Sequence, residues 1–389
     1  MENLQQIIWL EITEALNQIL MSAVDSAATD IHIEPSKNDY RLRFRIDGNL
    51  LTVLTNFPKA KALQLISRIK VLSKLDISES RSCQDGSFRF DNKHRNTHQD
   101  IRVATAATNH GERVTLRILG VNTNSLTINR LGFSNNLVDR IQNIISKQAG
   151  FFLVTGPTGS GKSTTLYAAL RERNNDDTNI MTIEDPIEYS IEGVSQLQVD
   201  QAGKITFPLA LRSMLRHDPD VIMVGEIRDS ETAQIALRAA MTGHMVFSTL
   251  HTTSAPNTIT RLVDMGCEPY LVAATLSGCL AQRLVKKLCN NCKSVRKTSD
   301  DEKNATGLTE VAFSEGCDMC NNKGYRGRIA ITEFLEVDSN LRKILRHETD
   351  ASEILTNAKY YQSMKQDALE KLNAGLVDIQ EVMTILPEH

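Results

Sequence analysis

The sequence predicts an α/β protein in which a small α+β domain precedes a larger domain built on a parallel sheet. A glycine-rich turn, GPTGSGKST, follows the apolar segment FFLVT and precedes the helix-forming segment TTLYAALRER. Downstream, short apolar segments alternate with amphipathic ones, which is the pattern of a parallel sheet covered by helices on both faces. At 389 residues the chain also exceeds the usual length of a single domain.

Residues 1–119 show the patterns of the small α+β domain. Apolar residues recur at helical spacing from Leu4 to Ala23, which predicts one amphipathic helix. In RLRFRIDG, arginines alternate with apolar residues as in a strand with one buried face, and Asp47-Gly48 is a hairpin-turn signal. A second helix and three further strand-like segments complete the domain.

The remainder of the chain divides into a linker and the larger domain that contains the glycine-rich turn. The polar, turn-rich segment 120–132 is predicted to be the linker, and residues 133–389 the second domain. In this domain, apolar strands alternate with helices from NIMTIEDP to HMVFSTLH, and ligands bind such sheets at the carboxyl ends of their strands. We therefore expect the functional residues at that edge.

Composition and charge exclude several classes of protein. The net charge of −3 disfavours direct binding of nucleic acid, because phosphate recognition usually needs a basic surface. The amino-terminal segment has no positive leader, and Glu11 and Glu14 interrupt its apolar residues, so it resembles neither a signal peptide nor a membrane span. We expect a cytoplasmic protein that reaches a membrane only through partners.

The glycine-rich turn matches the phosphate-loop pattern G-x-x-x-x-G-K-[ST] in its expected setting between a strand and a helix. Glycines let backbone N–H groups turn toward a phosphate, and the helix adds the positive end of its dipole. Lys162 is expected to reach the outer phosphates of ATP, and Ser163 to bind Mg²⁺. The alternative is a glycine-rich turn with a chance lysine. The predicted nucleotide-binding residues here are Gly156, Pro157, Thr158, Gly159, Ser160, Gly161, Lys162, Ser163 and Thr164.

Acidic residues follow the next two predicted strands. TIEDPIE carries three carboxylates, which a triphosphate tolerates only with Mg²⁺ or water between them, and Glu188 is the candidate for the base that polarises the attacking water. An acidic, solvated turn is the alternative. Glu226 ends VIMVGE and is the candidate for the acid that faces Mg²⁺, through a water molecule because it is Glu rather than Asp.

Basic residues at three places are candidates for contact with the nucleotide. Arg212 and Arg216 lie four residues apart and hence on one helix face, where solvated arginines are the common case. His244 and His251 flank the strand MVFSTL, and one of them could sense the γ-phosphate, although a lone histidine is most often a packing or capping residue.

The third group of basic candidates lies on one face of the strands of the first domain. Adjacent guanidinium groups repel one another, and a bound anion would relieve that repulsion. ATP phosphates held by the second domain of the same or a neighbouring chain are the candidate anion. A solvated basic face neutralised by nearby acids is the alternative. The residues concerned are Arg41, Arg43, Arg45, Arg102, Arg113 and Arg117.

Seven cysteines without an export signal argue against a disulfide framework. Four form two C-x-x-C pairs: Cys289, Cys292, Cys317 and Cys320. This spacing closes tetrahedral zinc sites, so we expect a zinc-binding insertion over residues 286–328 whose polar segment SVRKTSDDEKNATG is a loop. Reduced, packed cysteines are the alternative. Cys83, Cys267 and Cys279 are expected to be core thiols.

Six ordered motifs resemble those of the ATPases of type II secretion systems and type IV pilus assembly. They are TDIHIEP with RFRIDG, QDGSF with GERVTLRIL, GPTGSGKST, TIEDPIEY, DPDVIMVGEIRD and GHMVFSTLHT, and they span nearly the whole chain. The resemblance implies a RecA-like ATPase domain after a PAS-like domain. It also implies a homo-hexamer at the cytoplasmic side of a bacterial inner membrane, where ATP hydrolysis drives addition of pilin or pseudopilin subunits through a polytopic platform protein.

By position, the resemblance makes Lys162 the phosphate-binding lysine, Glu188 the catalytic carboxylate and Glu226 the Walker B acid. Larger members of the family carry an extra N-terminal docking domain, and we expect a short form without it because the signature begins within the first thirty residues. The alternatives are a retraction motor, which the four cysteines disfavour, and a nucleotide-gated scaffold, which the two glutamates disfavour. A nucleic-acid translocase is disfavoured by the charge.

Overall fold

The computed structural model describes residues 4–92, 97–119, 127–200, 204–347 and 350–386. The chain divides into two compact units, Met1–Ser125 and Leu126–His389, and each has its own sheet, in keeping with the predicted α/β class. Among the described residues, no helix is long and apolar enough to cross a membrane.

The first unit is an antiparallel six-stranded sheet in the order β3-β2-β1-β6-β5-β4, with two α-helices in its described part. Its elements are a 3₁₀ helix (Leu4–Trp9), α1 (Ile12–Asp25), β1 (Asp30–Pro35), β2 (Asp39–Ile46), β3 (Asn49–Pro58), α2 (Lys59–Leu72), β4 (Gln84–Asn92), β5 (Thr97–Thr108) and β6 (Gly111–Ile118). The hairpin turn predicted at Asp47-Gly48 is confirmed, because it joins β2 to β3.

Two predictions for the first unit are wrong. The expected continuous N-terminal helix is broken, because Glu11 has an extended backbone (ψ 147°) that separates the 3₁₀ helix from α1. Ile7 and Leu16 are nevertheless both buried, so two shorter segments use the same apolar pattern. Cys83 is exposed in the loop before β4 and is not a core thiol, whereas Cys267 and Cys279 of the second unit are buried as predicted.

The second unit contains an eight-stranded sheet in the order β16-β15-β12-β7-β11-β10-β8-β9. Its first elements are a 3₁₀ helix (Ile128–Arg130), α3 (Asn135–Ile145), β7 (Gly150–Thr155), α4 (Lys162–Arg173), β8 (Ile180–Glu184), β9 (Val194–Gln198), α5 (Phe207–Met214), β10 (Val221–Val224), α6 (Ser230–Met241), β11 (Met245–Leu250) and α7 (Ala255–Asp264). Those that follow are α8 (Pro269–Thr275), β12 (Leu276–Leu288), β13 (Lys293–Lys297), α9 (Asp300–Thr306), β14 (Glu310–Ser314), β15 (Tyr325–Glu336), α10 (Ser339–Ile344), α11 (Ala351–Asn357), β16 (Tyr361–Gln362), α12 (Met364–Asn373) and α13 (Ile379–Met383).

The strands from β12 to β9 are parallel to their neighbours, and β15 and β16 extend the sheet in antiparallel fashion. Strands β7, β8, β10 and β11 are buried at every residue, which explains why their sequences are mostly apolar. Alternate residues pack into separate cores on the two faces: Phe151 and Leu153 belong to one, and Phe152 and Val154 to the other. The carboxyl ends of β7, β10, β11 and β8 therefore meet at one edge.

The predicted linker contains the boundary between the two units, whereas the predicted loop of the insertion differs from expectation. Residues 120–126 of the linker lie outside the described residues, while Ile128 is fully buried in the core of the second unit. The insertion segment 294–307 is not a loop: β13 pairs with β14, and α9 lies between them. Ser299 and Glu302 form a capping box that starts α9, a signal present in the sequence TSDDE.

Candidate active site

The loop between β7 and α4 has the backbone geometry that its glycines predict. Gly156 has φ 141° and Gly161 has φ 90°, conformations that other residues rarely adopt. A Cβ atom at Gly156 would lie 2.3 Å from the carbonyl oxygen of Gln282, so only glycine fits there. The tip of the loop, Pro157 to Gly159, is exposed. The loop thus presents its backbone at the carboxyl edge of the sheet, which we call the phosphate-loop edge.

The side chain of Gln282 on β12 holds this loop by hydrogen bonds. The sequence did not predict this role. Its side chain is buried; Nε2 donates to the carbonyl of Ser160 (2.8 Å), and Oε1 accepts from the hydroxyl of Thr165 (2.9 Å). One side chain therefore fixes both the loop and the first turn of α4. The only signal in the sequence was a glutamine inside the apolar run LSGCLAQRLV.

Lys162 is the residue of the loop most clearly arranged for an anion. Its Nζ donates to the carbonyls of Gly156 (2.9 Å) and Pro157 (3.1 Å), and burial lowers the pKa of this lysine while nearby Glu226 opposes that effect. The hydroxyl of Ser160 is buried and has no hydrogen-bond partner among the described residues. Ser163, the predicted Mg²⁺ ligand, is exposed in the first turn of α4. The donor set fits a bound nucleotide phosphate.

Glu226 and His251 meet at the phosphate-loop edge, beyond the ends of β10 and β11. Nε2 of His251 lies 3.2 Å from one carboxylate oxygen of Glu226, and Arg228 forms an ion pair with the other. Arg228 also lies 3.4 Å from Asp185, in the loop after β8. The structure therefore brings together the predicted Walker B acid and the histidine nearest to it, with Arg228 between the two acidic loops.

The threonine after His251 is tied to the end of β7. The hydroxyl of Thr155 accepts a hydrogen bond from the backbone N–H of Thr252 (2.9 Å) and lies 2.6 Å from the Thr252 hydroxyl. Thr252 in turn contacts Thr258 in α7 (2.9 Å). These short polar contacts fix the loop that carries His251 beside the phosphate loop.

The loop after β8 places Glu188 next to a buried polar network. The backbone N–H of Glu188 donates to the hydroxyl of Tyr167 on α4 (3.1 Å), and the same hydroxyl donates to Glu184. Burial raises the pKa of Glu184, and hydrogen bonds from Thr182, Tyr167 and Gln196 oppose that effect. Glu188 itself is half-buried, so its carboxylate retains access to solvent.

Three predicted nucleotide-binding residues do not join this edge within the chain. His244 precedes β11 and so lies at the opposite end of the strand from His251, where its Nδ1 contacts the carbonyl of Ala239 (2.9 Å) at the end of α6. It has the capping role that was its alternative. Arg212 pairs with Glu231 (2.5 Å), and Arg216 donates to the carbonyl of Arg212 (3.0 Å), both on the surface.

In the first unit, two buried carboxylates form ion pairs with five of the six predicted arginines. Glu34 accepts ion pairs at 2.6 to 2.9 Å from three of them, and Asp30 lies 2.9 Å and 3.9 Å from two more. Arg102 lies on β5 opposite one member of the group. The arginine face consists of Arg41, Arg43 and Arg113 around Glu34, and of Arg45 and Arg117 around Asp30. It carries three more positive than negative charges.

The four cysteines of the insertion form one cluster. Their sulfur atoms all lie within 4.8 Å of one another, and the separations of neighbouring pairs are 3.8 to 3.9 Å. Four thiolates around zinc at about 2.3 Å are separated by about 3.8 Å, whereas a disulfide would need about 2.05 Å. Backbone N–H groups of Cys317 and Gly324 also point at the sulfur of Cys320 (3.2 Å each). The cluster has the dimensions of a closed tetrahedral site.

Known proteins resemble this chain over nearly all of its length. A sequence model of the family described as "Type II/IV secretion system protein" matches residues 10–384. The type II secretion system ATPase E of Vibrio cholerae is 44% identical over 97% of this chain and 76% of its own length. The type II secretion system protein E of Dickeya dadantii is 45% identical with the same coverage.

Solved structures agree with the sequence relatives. The X-ray structure of the ATPase DotB from Legionella pneumophila is 25% identical in sequence to this chain and matches it with a TM-score of 0.73. The match covers 96% of this chain and 94% of the DotB chain. The pilus retraction motor PilT with bound ADP is 27% identical with a TM-score of 0.67, over 96% and 97% of the two chains. Together with the phosphate-loop edge, these similarities show that the chain belongs to the type II/IV secretion system protein family.

Proposed function

We propose that this protein is an ATP-hydrolysing motor that powers assembly of a type II secretion pseudopilus or a type IV pilus. The observation that carries the proposal is the convergence of a phosphate loop, a glutamate paired with His251, and the Glu188 loop at one edge of the sheet. Relatives named type II secretion ATPases, and the ADP-bound PilT motor among the solved structures, support the same activity.

We assign each residue at this edge a separate role in phosphoryl transfer. The backbone of the loop and Lys162 would hold the outer phosphates, and Ser163 would hold Mg²⁺, which would supply positive charge beside the phosphate oxygens. Glu226 would contact the metal through water, and Glu188 would take the proton of the attacking water. His251, bridged to Glu226, is placed to report on the γ-phosphate. Removing one carboxylate should therefore separate binding from chemistry.

The test is the steady-state ATPase rate of Glu188→Gln. We expect ATP binding to be retained and turnover to fall by about 10²- to 10⁴-fold, because general-base help is worth that much. The control is Glu192→Gln, an exposed carboxylate in the same loop, which should keep the normal rate. If Glu188→Gln hydrolyses ATP normally, Glu188 is not the base; if the unaltered protein does not turn over even with its membrane partner, it is the nucleotide-gated scaffold.

The arginine face is proposed to receive nucleotide phosphates, in the manner of an arginine finger. Its two carboxylates neutralise only part of its charge, which leaves it able to attract an anion. In a ring, the phosphates of a neighbouring subunit are the candidate. Doping Arg113→Ala chains into unaltered rings should then lower activity more than in proportion to their share, whereas strict proportionality would contradict a contact between subunits.

We further propose a structural zinc ion, a homo-hexamer and a membrane partner. The four cysteine sulfurs fit zinc in number, type and spacing, and zinc would hold the insertion formed by β13, α9 and β14. A hexameric ring and a polytopic inner-membrane platform protein follow from the family resemblance. We therefore propose that the motor works in the cytoplasm at the membrane surface. A retraction motor is the second candidate, and the cysteine insertion disfavours it.

A further inference from the structure

Tyr167 joins the helix of the phosphate loop to the loop that carries Glu188. It lies on α4, five residues beyond Lys162, and its side chain is buried. Its hydroxyl has two partners: it donates to the carboxylate of Glu184 and accepts from the backbone N–H of Glu188 at 3.1 Å.

The direction of these hydrogen bonds is fixed by chemistry. The backbone N–H of Glu188 can only donate, so the Tyr167 oxygen accepts there, and the single proton of the phenol is donated to Glu184. Glu184 is itself held in place, because it accepts from the Thr182 hydroxyl (2.6 Å) and from Nε2 of Gln196 (3.0 Å). Burial, and then the charge of Glu184, raises the pKa of Tyr167, so its hydroxyl stays protonated.

Other contacts also hold this loop. Gln198 on β9 accepts from the N–H of Ile187 (3.2 Å), and Gln196 on β9 donates to the carbonyl of Tyr189 (3.2 Å). The guanidinium group of Arg171 on α4 lies 5.4 Å from the centroid of the Tyr189 ring. Tyr167 differs from these residues because its hydroxyl binds the backbone of Glu188 itself, and it lies on the helix whose first turn holds Lys162.

We propose that Tyr167 is a positioning residue for ATP hydrolysis: its hydroxyl fixes the backbone of Glu188 relative to the phosphate loop. The inference rests on the proposed function, since it takes Glu188 as the base. A small displacement of a catalytic group, of about 1 Å, can cost on the order of 10²-fold in rate, because the reacting atoms must be aligned. The effect should appear in kcat and not in ATP affinity, because the phosphate contacts of the loop do not involve Tyr167.

The chain offers a matched control for the variant Tyr167→Phe. Tyr189 packs edge-on against Tyr167, with ring centroids 4.4 Å apart, and its buried hydroxyl has no hydrogen-bond partner among the described residues. Both variants delete one buried phenolic oxygen from the same pair of rings. We expect Tyr167→Phe to lower kcat by about 10- to 100-fold with KM within about twofold of normal. Tyr189→Phe should leave both parameters unchanged.

A double-variant cycle decides whether Tyr167 acts through Glu188. In a Glu188→Gln background, adding Tyr167→Phe should lower the residual rate by less than about twofold, because the oriented group is already gone. A further drop equal to that of the single variant would overturn the inference, as would a normal kcat for Tyr167→Phe. A fall in the melting temperature that accounts for lost activity in both phenylalanine variants would also overturn it. A normal rate for Glu188→Gln would instead refute the proposed base, whatever Tyr167→Phe does.

Discussion

The arginine face of the first unit and the phosphate-loop edge of the second unit both concentrate charge, yet they satisfy it differently. On the arginine face, five guanidinium groups reach two buried carboxylates of the same unit. At the phosphate-loop edge, Lys162 hydrogen-bonds, among the described residues, only to two backbone carbonyls, and the buried Ser160 hydroxyl has no partner there. The arginine face neutralises two of its five positive charges internally, whereas the phosphate-loop edge leaves a buried hydroxyl for a ligand.

The difference shows that charge alone does not indicate which region binds a phosphate. A buried polar atom without a partner costs free energy, and the Ser160 hydroxyl lies beside Lys162 in a loop whose backbone conformation suits a phosphate, so a bound phosphate would offset that cost. The cysteine cluster resembles the phosphate loop in this respect, since its four sulfur atoms lie at the spacing of zinc ligands. Three experiments test this comparison between the two regions.

Removal of zinc should have the largest effect. Metal analysis should find about one zinc per chain, and Cys317→Ser should abolish it and unfold the insertion, because a structural zinc site contributes on the order of 10 kcal/mol to a small domain. Cys83→Ser, at an exposed cysteine outside the cluster, is the control and should keep the metal. A zinc-free protein with unchanged thermal melting would show that the thiols merely pack.

Loss of the phosphate-binding ammonium should come next. Lys162→Ala should weaken ATP binding by on the order of 10²-fold, since the charge-assisted contacts to the phosphates are lost. Titration with a fluorescent ATP analogue measures this directly. Lys147→Ala removes the same charge from an exposed position before β7 and should bind ATP normally. Equal affinity of the two variants would contradict the assignment of the loop.

Acid titration should have the smallest effect and concerns the arginine face. Burial would raise the pKa of Glu34, but hydrogen bonds from Arg43 and Arg41 hold it below its ordinary value. A folded-state pKa below the unfolded one means that the carboxylate contributes stability above about pH 4.5, the unfolded value, and that this is lost as the pH falls through the lower folded value.

Urea denaturation at pH 7 and at pH 3 tests this contribution. Glu34→Gln should lower the free energy of unfolding at pH 7 by about 1 kcal/mol, a modest value because the arginines are partly exposed. At pH 3 the difference between the variant and the unaltered protein should shrink. A difference that is constant with pH would mean that Glu34 stabilises the unit through packing rather than charge.

Much of the candidate site could be predicted because its signals are local. The phosphate loop, the acids after β8 and β10, and the paired cysteines are short patterns whose chemistry depends on spacing along the chain. Parallel strands then bring their carboxyl ends to one edge, so Glu226 and His251 meet although 25 residues separate them. The capping box of α9 is an equally local signal, but the polar composition of its segment predicted a loop instead.

Contacts that depend on strand order could not be predicted in this way. Gln282 reaches Thr165 across 117 residues because β12 lies beside β7, and nothing in its own segment indicates that neighbour. Tyr167 is one residue of a helix-forming segment in the sequence, and only the fold places its hydroxyl against Glu184 and Glu188.

Short segments of the sequence were enough to predict the class of fold, the phosphate loop and the grouping of the four cysteines, because backbone conformation and residue spacing are properties of short segments. The tertiary structure alone decided how charges and hydroxyls are paired. Arg41 and Arg43 lie on one strand face by sequence, but it is the pairing of β1 with β2 that places Glu34 within reach of both. Such pairings are decided in three dimensions because the partners meet only when distant segments pack, and burial then makes each hydrogen bond matter.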